Sequence, residues 1–230
     1  MPKVGVVLSG SGVMDGSEIH ESVLTLLALS KAGAEAVCMA PNGDQLHVVN
    51  HLSGKETPEK RNVLVESARI ARGKIRDLKD VKEKDVKEKD VDALIFPGGY
   101  GAAKNLCTFA VDGTNCKVHP EVARLVKEVH AAGKPIGAIC IAPALMAKIF
   151  EGAGVEMTIG NDKGTAVALE KMGQAHKNCT VNQIWIDSKY KIVTTPAYML
   201  AQNIAQAWEG IEKLVGEVLN LIRKGQTVRA

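Results

Sequence analysis

The sequence predicts an α/β fold: a mostly parallel sheet, helices on both faces and a late β-hairpin. Short apolar runs of buried-strand type alternate with stretches of helical periodicity. Glycine or proline punctuates most junctions between them. No Pro- or Ser-rich linker breaks the 230 residues, so a single domain is expected over 1–230.

In chain order, residues 4–8 read as a fully buried strand followed by glycines and serines. Residues 17–31 have helical periodicity and end at Gly33. Residues 36–40 form a second strand, stopped by Pro41-Asn42-Gly43. Residues 47–57 read as loop or edge structure, and 59–72 as a helix closed by Gly73. Residues 93–96 are a strand ended by Pro97-Gly98-Gly99. A helix over 120–132, a strand over 135–139 and a helix over 142–150 follow. Residues 183–187 and 191–194 read as the hairpin, and 197–222 as a closing helix. Residues 81–85 and 86–90 both read Val-Lys-Glu-Lys-Asp. A period of five matches neither strand nor helix, so 79–91 is expected to be a charged, solvated surface insertion grown by duplication.

Composition narrows the function. Hydrophobic residues make up 46% and charged residues 24%, which excludes a disordered or fibrous chain. A chain this long buries roughly 70% of its unfolded surface, so it needs neither disulfides nor metal to fold. The apolar runs fall well short of a membrane span. The net charge is only 29 − 26 = +3 and eight residues are aromatic, so no nucleic-acid partner is expected. Five cysteines, an odd number with no C-x-x-C, point to a reducing compartment. Met1-Pro2-Lys3 runs straight into a strand. The expected location is therefore cytoplasmic, or the mitochondrial matrix if a transit peptide has been removed.

The sharpest chemical feature is Gly137-Ala138-Ile139-Cys140-Ile141-Ala142-Pro143. A nucleophile elbow needs small residues two before and two after the nucleophile, and Ala138 and Ala142 supply them. Pro143 suits the first turn of a helix. Cys140 would then sit at a helix N-terminus, where the dipole and free N–H groups lower a thiol pKa. A buried cysteine packed as a small hydrophobe fits the same pattern equally well. At 96–106, a strand ends in Gly98-Gly99 and a helix follows, a plausible oxyanion site or a plain tight turn. Glu18 and Glu21, three apart on the first helix, share a face. They are candidate acid–base groups beside the thiol, or ordinary partners of the helix dipole.

Cofactor and metal signals are weak. Gly10, Gly12 and Gly16 have G-x-G-x-x-x-G spacing, and no acid ends the second strand, so NAD is not expected. Cys116-x-x-His119 and His176-x-x-Cys179 have zinc-like spacing but lie far apart in sequence. Neither metal nor cofactor is expected.

The elbow, Phe96-Pro97-Gly98-Gly99 with Lys104-Asn105-Leu106, and the Glu-bearing first helix resemble the PfpI-like, class I glutamine-amidotransferase-like superfamily. Leu8-Ser9-Gly10-Ser11-Gly12-Val13 with Asp15-Gly16-Ser17-Glu18-Ile19-His20-Glu21 narrows the resemblance to the ElbB family, also called isoprenoid-biosynthesis glyoxalase or lycopene-biosynthesis-enhancing. Arg61-Asn62-Val63-Leu64 and Val193-Thr194-Thr195-Pro196-Ala197-Tyr198-Met199 resemble the same family. The resemblance implies a flavodoxin-like sandwich, a homodimer, and Cys140 as the elbow nucleophile. It implies oxyanion donors at the Gly99 and Ile141 N–H groups, and a substrate pocket at Gly10, Gly12, Gly98, Lys104, Asn105 and Pro196. In the superfamily a glutamate lies twelve residues before the glycine that ends the first helix, so the resemblance implies Glu21 as the carboxylate, with Glu18 as the alternative.

One departure matters. Many members carry His directly after the nucleophile, where this chain has Ile141, and His176 lacks a following His-x-Glu pattern. That argues against a Cys-His-acid triad and against hydrolysis of glutamine or peptides. The expected activity is that of a cofactor-independent glyoxalase, taking small carbonyls to 2-hydroxy acids through a Cys140 thiohemiacetal and a Glu21 proton shuttle. The alternative is a non-catalytic redox-sensing or regulatory binding protein using the same cysteine.

Overall fold

The computed structural model describes residues 1–87 and 90–227. The chain opens with β1 (Lys3–Val7), α1 (Ile19–Lys31) and β2 (Glu35–Ala40). A small hairpin, β3 (Val49–Asn50) with β4 (Lys55–Glu56), precedes α2 (Val63–Ile70), β5 (Arg76–Asp77) and α3 (Glu83–Lys87). Then come β6 (Ala93–Phe96), α4 (Tyr100–Lys104), α5 (Phe109–Asp112) and α6 (Pro120–Ala131). The rest is β7 (Ile136–Ile139), α7 (Ala142–Ile149), β8 (Glu156–Met157), α8 (Lys163–Lys171), β9 (Ala175–His176), β10 (Trp185–Asp187), β11 (Ile192–Thr195) and α9 (Ile204–Thr227).

Seven strands form one sheet in the order β10-β11-β7-β6-β1-β2-β5. Every neighbouring pair is parallel except β10 with β11, the expected late hairpin. Alternate residues of β1 enter opposite cores. Val4 and Val6 pack with α1 and α9, whereas Val7 packs with α6 and α7. Helix α9 buries Ala207, Ile211, Leu214, Val215, Val218 and Ile222, the spacing of one helix face. Strand order reverses between β1 and β6, and open α/β sheets bind ligands at the carboxyl ends of strands at such a switch point. Among the described residues, no helix is long and apolar enough to cross a membrane.

Residues 47–57 are loop and edge structure as read, with the β3–β4 hairpin inside them, while other segments differ from the sequence reading. The helix expected over 59–72 is confined to Val63–Ile70, because the Asn62 side chain caps it by accepting from Val65 N–H at 3.0 Å. The closing helix begins at Ile204, since Ala197 at φ +41° opens a separate single turn, Ala197–Met199. The 79–91 segment exposes Lys79, Asp80, Lys82, Glu83, Lys84 and Lys87 as expected, but it is anchored to the core rather than looped out into solvent. Val81, Val86 and Val91 are buried in the core, and Asp85 accepts from Lys82 N–H at 2.7 Å and from Arg76 at 3.2 Å. Residues 88 and 89, inside its second repeat, lie outside the described residues.

Candidate active site

The site forms where the chain leaves β1, β6, β7 and β11. Cys140 follows β7 with φ +60°, a left-handed conformation that a non-glycine residue adopts at a cost of about 1–3 kcal/mol. The strained elbow is held by the Cys140 N–H, which donates to the Thr195 carbonyl at 2.9 Å. Ala138 and Ala142 are fully buried on either side, and Pro143 lies in the first turn of α7. Cys140 itself is 8% exposed.

Glu21 reaches the sulfur from α1 and is completely buried. Its Oε2 accepts from Gly98 N–H at 2.8 Å, its Oε1 accepts from Tyr198 N–H at 3.1 Å, and its carboxyl and the Cys140 thiol both face the Gly98 position. The Gly98 position is closed to any side chain. A Cβ there would fall 2.5 Å from Cys140 Cβ and 2.6 Å from Glu21 Oε2. Gly99, at φ +89°, packs equally tightly, since a Cβ on it would meet Glu18 N at 2.3 Å. The N–H groups of Gly99 and Ile141 both act on the Cys140 sulfur.

Glu18 and Glu21 do not share a helix face as the spacing suggested. Glu18 is the N-cap of α1, and its Oε2 accepts from Glu21 N–H at 2.7 Å. It therefore acts on the site through its charge. Burial, then the Glu18 charge, push the Glu21 carboxyl up to about 8. The expected lowering of the Cys140 pKa is also overturned. Burial and the neighbouring Glu21 charge push the thiol up, and they outweigh the Gly99 and Ile141 N–H groups that favour the thiolate. A proton on Glu21 removes the charge that opposes a Cys140 thiolate.

Of the expected pocket residues, Gly98 lies against the thiol–carboxyl pair. Pro196 is buried and begins the turn that presents Tyr198 N–H to Glu21. The other four build the loop wall after β1. Gly10 N–H donates to Ser67 Oγ at 2.8 Å, and Gly12 lies so close to His51 that a Cβ would clash at 2.6 Å. Lys104 Nζ donates to the Met14 carbonyl at 3.1 Å. Asn105 Nδ2 donates to the Ser9 and Asp15 carbonyls, each at 2.8 Å, while its Oδ1 accepts from Leu46 N–H at 3.0 Å. Their polar atoms are engaged in holding the loop. The sequence reading missed Thr195 and Tyr198, whose backbone groups hold the elbow and the carboxylate. It noted His20 without giving it a place, and His20 Nδ1 lies 2.8 Å from Tyr198 Oη. Tyr198 stood two residues past Pro196 in what read as regular helix, and no local pattern announces the Ala197 turn.

Residues 12–195 match the sequence pattern of the DJ-1/PfpI family. The chain is 48% identical to the human protein named glutamine amidotransferase-like class 1 domain-containing protein 3, mitochondrial, over 96% of this chain and 84% of that one. The zebrafish ES1 protein, mitochondrial, is 33% identical over 96% of this chain and 86% of its own. A solved isoprenoid biosynthesis protein with an amidotransferase-like domain, from Ehrlichia chaffeensis, superposes with TM-score 0.88 at 36% identity, covering 96% of this chain and all of that one. Glyoxalase III from Candida albicans shares the fold, with TM-score 0.60 at 15% identity over 96% of this chain and 97% of that one. Glu21, the Gly98 turn and the Cys140 elbow all fall inside the matched span, and the chain belongs to the DJ-1/PfpI family.

Proposed function

We propose that this chain is a glyoxalase-like enzyme that needs neither cofactor nor glutathione and converts small 2-oxoaldehydes, such as glyoxal and methylglyoxal, to 2-hydroxy acids. The observation that carries this reading is the buried Glu21–Cys140 pair set around Gly98, with the Gly99 and Ile141 N–H groups next to it favouring negative charge on the sulfur. The Cys140 sulfur adds to the aldehyde carbon and gives a thiohemiacetal. Those two N–H groups stabilise negative charge beside the sulfur. Glu21 takes the proton from that carbon and returns one to the adjacent carbon. The product is a 2-hydroxy thioester, which water cleaves to release the acid and restore the thiol. The sum is substrate plus water to acid, with no redox partner.

The pair loses its first proton as pH rises through about 8, so turnover should increase across that range. A sensor role for Cys140 would need a ready thiolate, and burial works against one. The direct experiment follows lactate from methylglyoxal without glutathione, in wild type, Cys140→Ala and Glu21→Gln. The expected result is lactate from wild type and a loss of at least about 100-fold in each variant. No lactate from wild type, or full activity in either variant, overturns the reading.

Within the family we place the chain in the ElbB group, supported by the 36% identity to the isoprenoid biosynthesis protein. The mitochondrial names of the human and zebrafish relatives support a mitochondrial location. A homodimer fits the apolar positions Ile19, Val23 and Leu27, spaced on one exposed face of α1. Light scattering on the purified chain tests it.

A further inference from the structure

Cys107 and Cys116 are nine positions apart and play no part in the site described above. Both are 2% exposed and both are free thiols. The chain doubles back between them. Cys107 forms an antiparallel bridge with Val118, and Thr108 N–H donates to the Lys117 carbonyl at 3.0 Å. Lys117 N–H returns a bond to Thr108 Oγ1 at 2.9 Å. Antiparallel pairing of 107 with 118 and of 108 with 117 sets Cys116 beside Cys107 on the same side of the loop, where the two thiols act on each other electrostatically. Cys107 Sγ also lies 3.4 Å from the Ala102 carbonyl of α4. On the other side, Lys148 of α7 donates to the Thr114 carbonyl at 3.2 Å. The pair thus lies between α4 and α7, the helices that begin at the two N–H donors of the site.

We propose that Cys107 and Cys116 form a second, redox-active site: a dithiol that a small hydroperoxide converts to an intramolecular disulfide. Two cysteines set side by side across an antiparallel pairing can reach the S–S bond length of about 2.05 Å by side-chain rotation. Cys116 is the attacking sulfur. Its pKa is lowered by the neighbouring Cys107 thiol and by the nearby Lys148 ammonium, whereas the Cys107 thiol is pushed up. The Cys116 thiolate attacks the O–O bond, keeps one oxygen as a sulfenic acid, and releases the other as hydroxide or alkoxide. Cys107 gives up its proton, attacks the sulfenic sulfur and expels that oxygen as water. Two thiols and one hydroperoxide thus give one disulfide, one alcohol or water, and one further water. The inference stands apart from the reaction proposed at Cys140.

Trypsin provides a clean test, because cleavage after Lys104 and Lys117 leaves both cysteines in one peptide, 105–117. The intact protein is titrated with hydrogen peroxide, blocked with N-ethylmaleimide and digested without reductant. The expected product is peptide 105–117 carrying no maleimide and two hydrogens lighter, restored to double labelling by dithiothreitol. Its label should be lost about tenfold faster than that of Cys38 or Cys179. A Cys140→Ser variant should form it to the same extent. If peptide 105–117 keeps both maleimides while Cys140 oxidises, the proposal is wrong. The same holds if it gains oxygen atoms without losing hydrogens, or links to another cysteine peptide.

Discussion

Gly98 N–H donates to Glu21 Oε2 at 2.8 Å across 77 residues of sequence, and the same glycine faces Cys140 with no room for a methyl group. One residue therefore sets the distance between the thiol and the carboxyl. Gly98→Ala must push one of them away. We expect a loss of about 1–3 kcal/mol in stability from overpacking, and at least about 100-fold in turnover from misplacement near 1 Å. Urea unfolding and methylglyoxal turnover measure the two. Iodoacetamide alkylation of Cys140 gives a third readout that assumes no reaction. Wild-type values in all three would mean the contact is not fixed.

Glu21 also predicts a pH dependence of stability. In the unfolded chain its carboxyl ionises near the ordinary 4.5, and in the folded chain near 8. Between those values the folded state holds a proton that the unfolded state has released. The contribution is complete below about 4.5 and is lost as pH rises through about 8. The slope cannot exceed about 1.4 kcal/mol per pH unit for one group. Glu21→Gln cannot titrate, so its stability relative to wild type should climb between pH 5 and 8. Urea unfolding at each unit of pH measures this, and parallel curves for the two proteins would contradict it.

How much of this site was legible follows from what each residue depends on. The elbow was readable because its requirements are local: small residues at 138 and 142 and a proline at 143. The parallel sheet was readable for the same reason, through alternating strand and helix patterns closed by glycine. Glu21 was reached by likeness to a family, since spacing alone left Glu18 equally placed. The capping role of Glu18 depends on where α1 starts, one residue after it. Tyr198 was invisible because its amide is aimed by a turn at Ala197 that has no sequence signature. The direction of the Cys140 shift was missed for a related reason. A helix terminus is a local feature, but burial and the Glu21 charge come from tertiary packing and win.

The 79–91 segment gives a prediction against its appearance. A five-residue repeat looked like solvated charge, yet a short 3-10 turn at Leu78–Asp80 followed by α3 returns valine to the core each time. Val86→Ala should cost about 1–3 kcal/mol, as a buried methyl deletion does. Lys84→Ala, on the exposed side of the same helix, should stay within about 0.5 kcal/mol. Equal and small effects in urea unfolding would return the segment to the surface.

Asn105 separates a loop-holding role from a substrate-binding one. Its amide nitrogen serves two carbonyls, those of Ser9 and Asp15, and its oxygen serves Leu46 N–H. Asn105→Ala leaves three backbone groups without their partner and should cost about 1–3 kcal/mol. Asn105→Asp should cost more although it is closer in shape. It keeps the acceptor for Leu46 but sets a negative oxygen against two carbonyl oxygens at 2.8 Å. A substrate-binding asparagine would behave in the opposite way, with KM rising and unfolding unchanged in both variants. The order wild type, alanine, aspartate in falling stability is the signature of a clamp that holds the wall of the site in place.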